Sequence, residues 1–174
     1  MLLFIFVIAF LLGEGCTSAL GTDLGPKMPL IVNGSRTYYY GLTHQGTAVQ
    51  AESFCRKHNM DLLSIETQEE HLFLQQSLLS YLDLNTAQQT FIWTSGKRVD
   101  GDRWIWEATG RPVHYKNWWA EQPDNDGGIE NCLELWYKPE FPGQIKWNDI
   151  YCNNTSRYFI CEYNNKDANI DNVY

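Results

Sequence analysis

The sequence predicts an α+β domain, with two helices in its first half and short strands in its second. Two patterns carry that reading. Between Ala48 and Leu82, apolar residues recur at helical spacing. From Phe91 onward they fall into short β-like runs instead: Phe91–Thr94, Trp104–Trp106, Leu133–Trp136, Ile145–Trp147 and Tyr158–Glu162. Long polar loops containing glycine separate these runs. Such loops cost conformational entropy unless something ties them down. A disulfide and a bound cation are the two obvious ties.

Taken in order, the chain opens on 11 apolar residues, Leu2 to Leu12. That is short of the roughly 20 a membrane helix needs and fits the core of a signal peptide. Thr17, Ser18 and Ala19 supply small residues for cleavage, so residues 1–19 are expected to be removed, Cys16 with them. No Lys or Arg precedes the run, a departure from the usual pattern. The mature protein is expected to be secreted. Cys55, Cys132, Cys152 and Cys161 remain, and an even count in a secreted domain implies two disulfides in one of three connectivities. No later apolar run is long enough for a membrane span.

Residues 20–35 hold two Pro and three Gly and read as a leader without periodicity. Asn33-Gly34-Ser35 is a glycosylation sequon within it. Thr37–Tyr40 is aromatic and β-prone, a first strand. Thr47 is a candidate N-cap for a helix carrying Ala48, Ala51, Phe54, Cys55 and His58 and ending near Asn59. A short apolar link, Asp61–Ile65, follows. A second helix begins at Thr67, with Glu69 and Glu70 where the dipole favours acids and Leu72, Phe73, Gln76, Leu79 and Leu82 as its apolar side. His58 and His71 are read as surface or boundary residues rather than ligands. Asn153-Asn154-Thr155 and Asn154-Thr155-Ser156 are overlapping sequons, and residues 164–174 form a polar tail.

The net charge of −8 argues against nucleic acid and anionic membranes as partners, and it suits a cation site. Two oxygen-rich clusters supply one. Gln122, Asp124 and Glu130 form the first, Asn148 and Asp149 the second. Cys132 and Cys152 follow the two clusters, so a bridge between them would bring the clusters together. Carboxylates and carboxamides without His or Cys suit a hard cation such as calcium. The seven tryptophans read first as core.

The order of parts from about Arg36 to Tyr163 resembles a C-type lectin domain, here residues 36–163. The matching pieces are Tyr38-Tyr39-Tyr40, Cys55, Leu62-Leu63-Ser64-Ile65, Phe91-Ile92-Trp93, Gln122-Pro123-Asp124, Glu130-Asn131-Cys132, Trp147-Asn148-Asp149, Cys152 and Phe159-Ile160-Cys161-Glu162. Trp93-Thr94-Ser95-Gly96 and Ala108-Thr109-Gly110-Arg111-Pro112 resemble the secreted single-domain lectins of insects. The resemblance implies the C-type lectin fold, with Cys55 paired to Cys161 and Cys132 to Cys152. It also implies the short form, lacking an additional N-terminal hairpin pair.

The resemblance further implies one principal Ca2+ ion held by Gln122, Asp124, Glu130, Asn148 and Asp149, with the same five residues binding sugar. Gln122-Pro123-Asp124, with Pro123 cis, corresponds to galactose-type specificity. Two departures stand out. Asn125, Asp126 and Gly127 follow where galactose binders often carry a stacking Trp, leaving Trp118, Trp119, Trp136 and Tyr151 as substitutes. Arg98 and Asn125 stand where an auxiliary calcium site would have acids, although Asp102 fits, so one calcium is expected rather than two. The expected function is calcium-dependent recognition of galactose-containing glycans, including those of microbial surfaces in innate defence. The rival is a calcium-stabilised domain that binds a protein or glycoprotein partner. No catalytic residues are expected. Glu121, Asp124 and Glu130 could suggest a glycosidase pair, but they fall within the metal motif and no nucleophile with a neighbouring base is visible.

Overall fold

The computed structural model describes residues 30–82 and 88–164. The expected signal peptide, most of the leader and nearly all of the tail lie outside the described residues. The chain begins with a hairpin of β1 (Leu30–Asn33) and β2 (Arg36–Gly46). Gly34, at φ +59°, sits at the turn position where a two-residue hairpin loop favours glycine. This corrects two expectations. Residues 30–33 are a paired strand rather than leader, and an N-terminal hairpin is present, built without cysteines.

Helix α1 (Ala48–Lys57) starts at Thr47, which accepts from the Gln50 amide while the Gln50 side chain accepts from the Thr47 amide. That reciprocal capping box satisfies two orphan donors. The helix buries Ala48, Ala51 and Cys55. After β3 (Asp61–Leu62), α2 (Gln68–Tyr81) is capped by Thr67. Its buried residues are Glu70, His71, Leu74 and Leu78, while Phe73, Leu79 and Leu82 of the predicted face pack partly buried against the core. Leu72 is half exposed and Gln76 is exposed, because the helix turns a charged residue and a histidine inward. Glu70 finds Arg36 and Tyr38 there, while His71 Nε2 lies 2.9 Å from the Ile145 carbonyl oxygen. His71 is therefore a buried residue, not a surface one, and burial lowers its pKa and favours the neutral ring. His58 is exposed, as expected.

Six more strands complete the sheet among the described residues: β4 (Thr90–Asp100), β5 (Arg103–Trp106), β6 (Arg111–Pro112), β7 (Cys132–Tyr137), β8 (Ile145–Ile150) and β9 (Arg157–Asn164). The main path runs β1-β2-β9-β4-β5-β6, with β3 beside β9 and a β7–β8 hairpin branching from β4. The parallel β4–β9 pair is the exception in an otherwise antiparallel arrangement. Both disulfides form as the resemblance implied. Cys55–Cys161 ties α1 to β9, and Cys132–Cys152 ties the start of β7 to the residues after β8. In the chain-entropy description the longer loop contributes about 4 to 5 kcal/mol and the shorter about 3 kcal/mol.

Trp147 sits at the centre of the larger core, fully buried, with Trp106, Tyr115 and Trp118 meeting it edge to face. Pairs of this kind contribute about 0.5 to 1.5 kcal/mol each beyond their buried area. Trp93, Trp104, Trp106 and Trp119 are buried too, so most of the tryptophans serve packing. At Gly96 a Cβ would lie 2.6 Å from the Leu133 Cβ, so only glycine lets β4 approach β7 this closely.

Candidate functional site

The loop from Glu121 to Asn131 is anchored before it begins. Trp119 N–H donates to the Trp147 carbonyl at 2.9 Å, and Trp147 N–H to the Asn117 carbonyl at 2.8 Å. The loop's entry is thus fastened to the start of Trp147-Asn148-Asp149 on β8. Gln122–Pro123 is cis, as the resemblance implied. Glu121 and Asn125 adopt left-handed backbone, at φ 68° and 49°. For Glu121 that costs roughly 1 to 2 kcal/mol, whereas asparagine visits this region more readily, held by local contacts. Asn125 has such contacts. Its side-chain oxygen accepts from Glu130 N–H, and its own N–H donates to Asp149.

One oxygen from each of Asp124, Glu130 and Asp149 lies within 4.8 Å of the others. Asp149 is buried, Glu130 partly buried and Asp124 exposed. Asp149 is well satisfied: Oδ1 accepts from Asp124 N–H, and Oδ2 from Asn125 N–H and from Arg98. Glu130 is not. Only Oε2 has a described donor, the Asp126 amide. Partial burial, followed by the nearby charges of Asp149 and Asp124, pushes its carboxyl up to about 7.

Gln122 and Asn148 are placed differently. Gln122 Oε1 is buried and has no hydrogen-bond partner. An orphaned buried acceptor of this kind costs about 1 to 3 kcal/mol. Asn148 stands directly across from Glu134 in the β7–β8 ladder and donates to it through Nδ2 at 3.0 Å. That bond fixes the amide so that its oxygen is free of Glu134. The predicted residues thus separate into a carboxylate triad, one orphaned amide oxygen and one amide held by a neighbour.

The donor set fits a hard divalent cation. It contains three crowded carboxylates, a buried amide oxygen with no partner, and no sulfur or imidazole. Gln122, Asp124, Glu130, Asn148 and Asp149 are the residues that would hold it.

Sequence reasoning missed the supports beneath the site. Glu134 is fully buried on β7, where Arg157 Nε donates to it at 2.7 Å and lies over the Phe91 ring. Burial raises the Glu134 pKa, and Arg157 and Asn148 oppose that rise. The signal was present: an acid in the middle of Cys132-Leu133-Glu134-Leu135-Trp136 has to find a cation. Of the aromatic candidates, Trp119 is buried, Trp118 and Trp136 are partly buried, and Tyr151 is exposed, 46 %.

A family model for the lectin C-type domain matches residues 44–163. The chain belongs to the C-type lectin domain family. It is 31 % identical over 156 residues to C-type lectin 37Db of Drosophila melanogaster, covering 86 % of this chain and 93 % of that one. It is 35 % identical over 127 residues to perlucin of Haliotis laevigata, covering 73 % and 76 % respectively. Among solved structures, the carbohydrate-recognition domain of mouse scavenger receptor C-type lectin superposes with a TM-score of 0.61 at 28 % identity, covering 78 % of this chain and 95 % of that one. C-type lectin domains are carbohydrate-binding modules, not enzymes, and are in general calcium-dependent. Among the described residues of this lectin domain, no helix is long and apolar enough to cross a membrane.

Proposed function

We propose that this protein is a secreted lectin that binds galactose-type glycans through one calcium ion held by Gln122, Asp124, Glu130, Asn148 and Asp149. The observation that carries this reading is the convergence of Asp124, Glu130 and Asp149, in a loop where Gln122, two residues before Asp124, carries a buried, partnerless side-chain oxygen. Calcium takes six to eight oxygens. The five side chains leave positions for two neighbouring sugar hydroxyls, and calcium would supply the charge that draws them in.

Specificity follows from which atoms remain for the sugar. A carboxylate only accepts hydrogen bonds, while an amide NH2 donates them. Gln122 and Asp124 therefore offer a donor followed by an acceptor. Galactose differs from mannose-like sugars in its axial 4-hydroxyl, and this order is the one associated with galactose in the family. Residues 1–19 are removed on export, residues 36–163 form the lectin domain, and the glycans it meets include those of microbial surfaces.

Passage of the secreted protein over immobilised galactose tests this reading. Retention in calcium with release by a chelator is expected. Passage without retention in calcium would defeat the galactose assignment, and a domain that binds a protein partner instead would behave that way.

A further inference from the structure

Arg98, near the end of β4, reaches into the carboxylate cluster with a side chain only 9 % exposed. Nη2 donates to Asp149 Oδ2 at 2.5 Å. Nε donates to the Glu130 carbonyl at 3.1 Å, and Nη1 to the Gly101 carbonyl at 3.0 Å. The guanidinium also lies 4.7 Å over the Trp104 ring, with Asp102 at 3.7 Å on its outer side. Three different nitrogens of one planar fork are in use, so its orientation is determined.

Asp149 passes this constraint to the loop, because its two oxygens accept the amides of Asp124 and Asn125. One arginine thereby holds one acid, and that acid holds the segment carrying Asp124. Glu130 is held from the same side through its backbone carbonyl, and Asn131 by the Arg98 backbone amide at 3.0 Å. The charge count is equally specific. Asp124, Glu130 and Asp149 bring −3 when ionised, and Arg98 brings +1; Asp102, 92 % exposed beyond the guanidinium, lies outside the cluster and is screened by solvent. The sum of −2 is the charge that one divalent ion neutralises.

We propose that Arg98 is a resident cation of the loop. It keeps residues 124–131 assembled when no metal is present, and it matches the cluster's charge to a divalent ion rather than a trivalent one. The first role needs no metal. The second, which rests on the calcium reading above, concerns which ion the cluster prefers. Arg98 acts through Asp149 and the loop backbone and so is a positioning residue.

Hydrogen exchange on the full secreted protein in EDTA, comparing wild type with Arg98→Met and Arg98→Lys, tests the first role. The Asp124 and Asn125 amides are expected to be protected in wild type and to exchange about tenfold faster or more in both variants, the scale expected for a lost charged bond. A single ammonium cannot span Asp149 and the Glu130 and Gly101 carbonyls. The Leu135 and Trp147 amides report whether each variant is folded, and if Arg98→Met is not, Arg98→Lys decides. Loop amides unprotected in wild type, or equally protected in a folded variant, would overturn the role.

Competition between terbium and calcium reads the charge, which a purely structural role would not move. Arg98→Met is expected to raise the terbium-to-calcium affinity ratio by about tenfold or more, while Arg98→Lys leaves it unchanged. An unchanged ratio in Arg98→Met would overturn the charge role, and a ratio raised equally in Arg98→Lys would do the same. If neither ion binds wild type, the calcium reading fails and the charge role with it, while the exchange result still stands or falls by itself.

Discussion

Three carboxylates converge in each of two places in this molecule, and the two places differ in how those oxygens are satisfied. Where β2 begins, Glu66, Glu70 and Glu162 surround Arg36, which donates to all three at 2.6 to 2.9 Å. The remaining oxygens are taken as well: Arg111 reaches Glu66, Tyr38 adds a bond to Glu70, and the amides of Glu66 and Ser64 fill Glu70 and Glu162. Each of the six carboxylate oxygens has a described donor. In the loop, Arg98 reaches only one carboxylate of the triad, that of Asp149; Glu130 has one described donor, on Oε2, and the buried Gln122 Oε1 has no hydrogen-bond partner. Crowded acids alone do not distinguish a structural network from an ion site. Unsatisfied oxygens do, because a buried acceptor left without a donor is costly unless something else arrives.

The largest effect is expected from breaking the saturated cluster. Arg36→Met leaves the buried carboxylates of Glu70 and Glu162 and the partly buried one of Glu66 around an apolar side chain. Losing one partner of such a network costs about 3 to 5 kcal/mol. Urea unfolding should show this loss, and the folded fraction should still bind calcium. A change below about 1 kcal/mol, the scale of an exposed pair, would mean the cluster is solvated rather than buried.

The next effect concerns selectivity in the loop. Gln122→Glu with Asp124→Asn keeps five oxygen-bearing side chains and reverses the donor and acceptor order. Sugar preference should move from galactose toward mannose by about tenfold, roughly one hydrogen bond to a charged group. Calcium binding should persist. A double variant that keeps calcium and still prefers galactose would place selectivity in another residue, with exposed Tyr151 the first to test.

Titration reports on the saturated cluster as well. Burial, then the charge of Glu70, pushes Glu162 up to about 8, against the pull of Arg36 and Ser64. Asp61 faces it across the β3–β9 pairing. A folded pKa above the ordinary carboxylate value gives stability that is full below about 4.5 and is lost as pH rises toward about 8. In chelator, the urea midpoint should fall between pH 5 and 9, and Glu162→Gln should flatten that fall. A midpoint that rises over the same range would contradict the sign.

The smallest effect is expected at the sequons. Glycan is expected at Asn33, in the hairpin turn region, and at Asn153 or Asn154, with little change in the unfolding midpoint. Asn153 is exposed and Asn154 half-buried. Peptide mapping of protein from a eukaryotic host, finding all three bare, would refute the assignment.

Much of this was legible where the signal is local. Thr47 and Thr67 announce their helices, and the loop acids are bracketed by cysteines whose pairing brings them together. The rest needed tertiary partners. Glu70 and His71 look like surface residues until Arg36, Tyr38 and the Ile145 carbonyl are placed beside them. Leu30-Ile31-Val32 was hidden by the prolines before it, although the Asn33-Gly34 that follows is a hairpin signal in its own right. Arg98 read only as a missing acid. Its meaning lies in the distance from β4 to Asp149, which no spacing in the sequence reveals.

Calorimetric titration of calcium into the chelator-treated protein, wild type against Glu130→Gln, is the most direct test of the unsatisfied-oxygen account. It predicts one ion per wild-type chain and an affinity lowered at least about tenfold in Glu130→Gln, since an ionised ligand is lost. It also predicts an apo unfolding midpoint for Glu130→Gln equal to or above that of wild type, because the substitution relieves repulsion among Asp124, Glu130 and Asp149. Equal calcium affinity in the two proteins, or no calcium bound by wild type, would show that these oxygens are not waiting for an ion.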